Sequence, residues 1–160
     1  MPEPLVVFDC VVFLQGLIKE SGPAVTCLEH FEEGRFRLAI SPEILVELHD
    51  VLYRSSLQQA FSLLTKVKAD RLIELLLLRA KLFRDVPRRF ELPRDPDDES
   101  YLNLAIEAEA RFLVTRDRDL LDLMRWDTKE GRDFQSRFRQ LKILDLVAFL
   151  KEIEASEKDA

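Results

Sequence analysis

The chain has 160 residues, 47% of them hydrophobic and 34% charged, which excludes a disordered or low-complexity protein and fits one compact domain. A chain of this size buries roughly 70% of its unfolded surface, so its core needs neither disulfides nor a structural metal. Lys and Arg number 24 against 30 Asp and Glu, a net charge of −6, the wrong sign for affinity built on a broad phosphate-neutralising surface.

The opening MPEPLVVFDCVVFLQGLI lacks a basic lead-in and carries Asp9 inside its apolar run, so it reads as a buried strand over residues 5–8 rather than a leader. Residues 12–20 predict a loop or short helix ending at Ser21-Gly22-Pro23, and 24–33 a helix stopped by Gly34. A second short strand follows at 36–40. Ser41-Pro42 then starts a helix, with Ser as N-cap, Pro at the first helical position, and Ile44, Leu45, Leu48, Val51 and Leu52 on one apolar face. From 57 to 83 the spacing is helical throughout, broken near Thr65, with Ile73, Leu76, Leu77 and Ala80 as the expected core stripe. Charges interrupt ELLLLRAKLF, so no stretch approaches the ~20 apolar residues that cross a bilayer, and no membrane association is expected.

Residues 86–96 hold three prolines and three arginines and predict an extended connection leading to a site. A helix headed by acids is expected over 98–110, a strand over 111–115, a short helix over 119–124 and a last strand over 142–144. The polar stretch 128–139 has no definite form. A final helix over 146–153 closes a single domain spanning 1–153, and 154–160 reads as a frayed tail. Strands alternating with helices predict an α/β domain, its mostly parallel central sheet flanked by helices.

In such sheets ligands sit beyond the carboxyl ends of strands, and two expected strand ends carry aspartates, Asp9 and Asp117. RDPDDESYL adds Asp95, Asp97, Asp98 and Glu99 directly before a helix. Glu47 lies about 60° from Ile44 on the helix after Ser41, at the border of its apolar arc, where it can face a cleft. Carboxylates gathered from four segments repel unless a cation neutralises them, and oxygen ligands of this kind select Mg²⁺ or Mn²⁺. Cys10 and Cys27 are too few for a disulfide framework, which points to a reducing cytoplasm, and Cys10 inside an apolar run reads as a packing residue. Cys10, Cys27, His30 and His49 lack the paired-ligand spacing of a zinc site.

Strand-Asp9, then SPEILVELHDVL with Glu47, then RDPDDESYLNLAIEAEARFLVTRDRDLLDL together resemble a PIN domain, the metal-dependent ribonuclease fold of many bacterial toxins. The resemblance runs from about residue 5 to 150 and is most specific over 95–123. It implies a three-layer α/β fold with an acidic cluster that binds Mg²⁺ or Mn²⁺ and cleaves single-stranded RNA. It also implies an antitoxin partner and a homodimer in the cytoplasm. By this likeness Asp9, Glu47 and Asp117 match the first, second and fourth acids, and Thr115 is a hydroxyl close to them. The third acid is Asp98 or, by the spacing of shorter members, Glu99. Arg116 is the expected substrate-binding cation, ahead of Arg84, Arg88, Arg89 and Arg94; of the aromatics Phe13 and Tyr101 that could stack a base, Phe13 reads first as core packing. Where the family commonly has Asp-Thr-Asn, this chain has Asp9-Cys10-Val11, which leaves open a catalytically inactive module that binds RNA or a protein. A phosphatase with an Asp nucleophile needs a second Asp two residues after the first, and position 11 is Val.

Overall fold

The computed structural model describes residues 3–158. Five strands, β1 (Leu5–Phe8), β2 (Arg37–Ile40), β3 (Lys81–Leu82), β4 (Phe112–Val114) and β5 (Lys142–Leu144), form one sheet in the order β3-β2-β1-β4-β5. Every pairing is parallel, Val6 facing Leu38 on one side and Phe112 on the other. Central strands of such a sheet are covered on both faces, which is why LVVF and FLV are unbroken apolar runs rather than alternating ones. From β1 the chain moves outward to β2 and β3, then returns to build β4 and β5 on the opposite side of β1. Order therefore reverses between β1 and β4, and a crevice opens beyond their carboxyl ends.

Helices α1 (Cys10–Ile18) and α2 (Pro23–Glu32) connect β1 to β2. They pack so closely that a Cβ on Gly16 would meet the Leu28 side chain at 2.4 Å. Gly34, at φ 81°, ends the turn after α2 in a conformation that favours glycine. Helices α3 (Pro42–Leu52), α4 (Ser55–Ala60) and α5 (Lys66–Arg79) lead to β3, and α6 (Glu99–Glu107) precedes β4. The Ser41 hydroxyl accepts from Ile44 N at 3.2 Å, the cap its sequence predicts. Helix α6 packs on β1, β2 and β4, and the last helix, α9 (Leu146–Lys158), on β4 and β5. Phe149 of α9 meets Phe8, Phe36 and Phe112 edge-on, with centroids 5.8, 5.1 and 5.6 Å away. Helices on both faces make the α/β, three-layer architecture expected from the sequence.

Several details differ from that expectation. Helical spacing to residue 83 conceals β3, because a two-residue edge strand with both side chains exposed leaves no periodic signal. On α5 the buried residues are Ala69, Leu72 and Leu76, whereas Leu77 is 67% exposed. A run of four leucines does not specify which of them faces inward. The polar stretch after Thr128 is a helix, α8 (Lys129–Arg137), capped by the Thr128 hydroxyl and anchored by buried Phe134. A four-residue helix α7 (Arg118–Leu121) and a 3-10 turn at Asp122–Met124 stand where one short helix was expected. Helix α9 continues past residue 153 to Lys158, and residues 159–160 of the expected tail lie outside the described residues. No helix among the described residues is long and apolar enough to cross a membrane.

Candidate metal centre

Asp9 ends β1 and caps α1, its Oδ1 accepting from Val12 N at 3.0 Å. Its other oxygen accepts from the Thr115 hydroxyl at 2.5 Å, and the Arg116 backbone N–H adds a further donation. The residue is 4% exposed, and burial, opposed by these hydrogen bonds, raises its pKa. Thr115 also accepts from Asp117 N at 3.0 Å, so one hydroxyl ties the acid after β1 to the acid after β4. Asp117 caps α7 in turn, its Oδ1 accepting from Asp119 N at 2.8 Å and Leu120 N at 3.3 Å. The strand-to-helix turns that end β1 and β4 thus place two carboxylates in the crevice at the reversal of strand order.

A cavity of about 420 Å³ occupies this crevice. Asp9, Glu47, Asp95, Asp97, Asp98 and Asp117 supply its carboxylates, and Arg116 is its one lining cation among the described residues. The 3-10 turn at Pro96–Asp98 swings Asp95 and Asp98 toward Asp117. Burial and the hydrogen bonds to Asp117 and Asp95 push the Asp98 carboxyl up to about 8. Asp95 is raised by burial and by Asp117. Burial alone would raise Asp117 as well, but hydrogen bonds from Asp98, Asp95 and the backbone of Leu120 and Asp119 hold it below the usual carboxylate range. Carboxyls that shift one another's pKa in opposite directions mark converging acids in a site short of positive charge.

Carboxylate oxygens of Asp95, Asp117 and Asp119 lie within 4.8 Å of one another, a spacing that a hard cation can bridge. Asp119 is also paired with Arg94 at 2.8 Å, which places a fixed counter-charge at the edge of the group. Sequence reasoning named neither Asp95 nor Asp119 as a ligand. Their only signal was position, one in DPDDE and one two residues after Asp117.

Glu99 does not join the cleft. Its carboxylate takes the Nε and Nη2 of Arg88 at 2.8 and 3.0 Å and Leu92 N at 2.7 Å, and Arg88 lowers its pKa. Of the two candidates for the third acid, the structure brings in Asp98 and turns Glu99 to the opposite duty of holding the connection after residue 86. Glu47 lines the cleft from α3, as its place at the border of the apolar arc suggested.

Tyr101 is 2% exposed, and its hydroxyl accepts from Cys10 N at 3.3 Å and hydrogen-bonds Glu47. It braces the first turn of α1 against α3 and is too buried to stack a base. Phe13 is likewise core, 5.5 Å from the Phe8 ring. Burial, with Glu47 and Asp9 nearby, raises the Cys10 thiol to about 12, which leaves it protonated and inert. Among the other expected cations, Arg88, Arg89 and Arg94 are paired with Glu99, Glu107 and Asp119.

A PIN-domain family model matches residues 5–119, from β1 into α7, a segment holding every carboxylate of the cleft. The chain belongs to the PIN-domain family. PIN domains are generally nucleases and typically bind divalent metals, and this one has a cluster of three acids, Asp95, Asp117 and Asp119, that fits a metal site. No curated protein matches the chain.

Proposed function

We propose that this PIN domain is a Mg²⁺- or Mn²⁺-dependent endoribonuclease that cuts phosphodiester bonds of single-stranded RNA. The observation that supports it most is the convergence of Asp9, Asp95, Asp98 and Asp117 in one cleft at the reversal of strand order. Asp9, Asp98 and Asp117, with Asp95, would hold the ion, and Glu47 faces it across the cleft. A bound divalent ion supplies an activated water and charge for the phosphoryl transition state. The chain's own part is positioning. Thr115 orients the Asp9 carboxylate and the Asp117 backbone together, and Tyr101 fixes α1 relative to Glu47. Asp98 would hold the ion as its carboxylate, since a metal-bound carboxylate is ionised.

The test is cleavage of a labelled single-stranded RNA in Mn²⁺, Mg²⁺ or EDTA by wild type, Asp9→Asn and Asp117→Asn. Metal-dependent cutting lost in both variants, with circular dichroism unchanged, is the expected result. No cutting by wild type would overturn the enzyme reading in favour of the non-catalytic module. That second reading has one observation behind it: the wall beside Asp9 is Cys10 and 46%-exposed Val11 rather than polar side chains. We infer from the family likeness that the chain is the toxin of a toxin-antitoxin pair and works as a cytoplasmic homodimer, with exposed Val67, Leu77 and Leu78 of α5 offering an apolar contact face. Growth arrest on induction of wild type but not of Asp117→Asn checks the toxin role, and sedimentation checks the dimer.

A further inference from the structure

An RNA strand entering this cleft meets six carboxylates and one cation on a protein of net charge −6. A bound metal can attract the scissile phosphate, but its neighbours must be held elsewhere. Arg116 stands on the wall between the acidic cleft and a second cavity, of about 280 Å³, and lines both. That second cavity runs along the outside of α1 and also receives Gln15 and Lys19, from the end of the helix that Asp9 begins. Neither Arg116 nor Lys19 makes an ion pair among the described residues, whereas Arg88, Arg89 and Arg94 are each engaged by an acid. Asp145, the one acid of the second cavity, turns back to cap α9 and accepts from Ala148 N at 2.8 Å. Lys19 lies ten residues along from Asp9, a rise of about 15 Å. Such a distance is covered by a few nucleotides of extended strand.

We propose that Arg116, Lys19 and Gln15 form a phosphate-binding subsite that holds the RNA backbone a few nucleotides from the scissile bond and fixes the direction in which the strand leaves the cleft. The subsite rests on the nuclease reading for its purpose, but its binding can be measured without cleavage. Arg116 bridges the two cavities and contacts the nearer phosphate, Lys19 neutralises the farther one, and the Gln15 amide donates between them. The strand therefore passes toward the start of α9 rather than over Glu47 and α3.

The experiment is binding of a fluorescent twelve-nucleotide oligouridine to the non-cutting Asp117→Asn protein without added metal, followed by anisotropy over a salt series. Lys19→Ala and Arg116→Ala should each weaken binding several-fold and lower the slope of log affinity against log salt by about 0.7, the value for one phosphate contact on a single strand. Lys19→Glu should weaken it further, and Lys19→Arg should restore it. With wild-type Asp117, Lys19→Ala should raise KM for the twelve-mer at unchanged kcat and leave a dinucleotide substrate unaffected. Equal affinity and equal salt slope in Lys19→Ala and Lys19→Glu would overturn the subsite while leaving metal-dependent cutting untouched. Absence of cutting by the wild type, with binding still dependent on Lys19, would keep the subsite and remove the nuclease reading. An oligouridine that does not bind this variant at all overturns the subsite, while cutting by the wild type remains the separate test of the nuclease reading.

Discussion

Asp98 carries the clearest conflict between stability and function in the molecule. Its carboxyl is raised to about 8, so between the unfolded value of 3.8 and that figure the folded protein holds a proton that the unfolded chain has released. Stability of the metal-free protein must then fall as pH rises through this window, because the folded state binds the more protons. Asp98→Asn removes the developing charge and keeps the shape. It should raise metal-free stability at pH 8 by about 1–2 kcal/mol, a little over the energy of one pKa unit after allowance for the partial exposure of the site. The same substitution should flatten the pH dependence and weaken Mn²⁺ binding. Thermal melts at pH 5 and pH 8, with and without Mn²⁺, check all three outcomes, and an unchanged melt at pH 8 would show that the carboxylates do not share a proton.

At the scale of elements, the site depends on an irregular connection that the fold has to hold down. Residues 86–96 have no ladder of their own, and α6 secures them through Asn103 and Glu99, with Glu107 pairing to Arg89. Asn103 accepts from Arg89 N at 2.7 Å and Phe90 N at 2.9 Å and donates to Phe90 O, while Glu99 takes Arg88 and Leu92 N. Hydrogen bonds to a charged group contribute about 1.5–3 kcal/mol each when buried, and the exposed Arg88 head reduces that figure. Glu99→Gln should therefore destabilise the protein by about 1–3 kcal/mol and speed proteolysis within 86–96, while Mn²⁺ binding persists. Loss of metal binding with stability intact would instead return Glu99 to the acid cluster. Because Arg88 lowers the Glu99 pKa, its contribution is fully present above its ordinary value of 4.5 and is lost as pH falls through the lower, folded value. Asp98 and Glu99 are adjacent in sequence, yet they titrate in opposite directions because one faces acids and the other an arginine.

Across the whole molecule, the cluster joins the ends of β1 and β4 to the turn before α6, and a cation bound there favours the folded chain over the unfolded one. By linkage, Mn²⁺ at a hundred times its dissociation constant should stabilise wild type by about 2.7 kcal/mol. The stabilisation should disappear with EDTA and in Asp117→Asn. A melting temperature insensitive to Mn²⁺ and Mg²⁺ at millimolar concentration would mean that the acids hold no divalent ion. The net charge of −6 acts at this scale too, since it opposes a polyanion and leaves attraction to local cations such as Arg116 and Lys19.

The sequence by itself determined the class of the fold and the kind of site. Unbroken apolar runs such as LVVF announce strands covered on both faces, Ser41-Pro42 marks a helix start, and an aspartate directly after a strand sits at the sheet's carboxyl edge whatever surrounds it. These are local rules, set by backbone geometry and side-chain period, and they survive in the folded protein at Asp9, Ser41 and Asp117. Only the tertiary structure decided which of two adjacent acids enters the cleft, because the turn at Pro96–Asp98 and the reach of Arg88 depend on how the connection lies against α6. Pairing of β3 at the sheet edge, the exposed side of the leucine run on α5 and the inward turn of Tyr101 were likewise hidden. Each depends on what packs opposite, and that information is distributed over residues far apart in the chain.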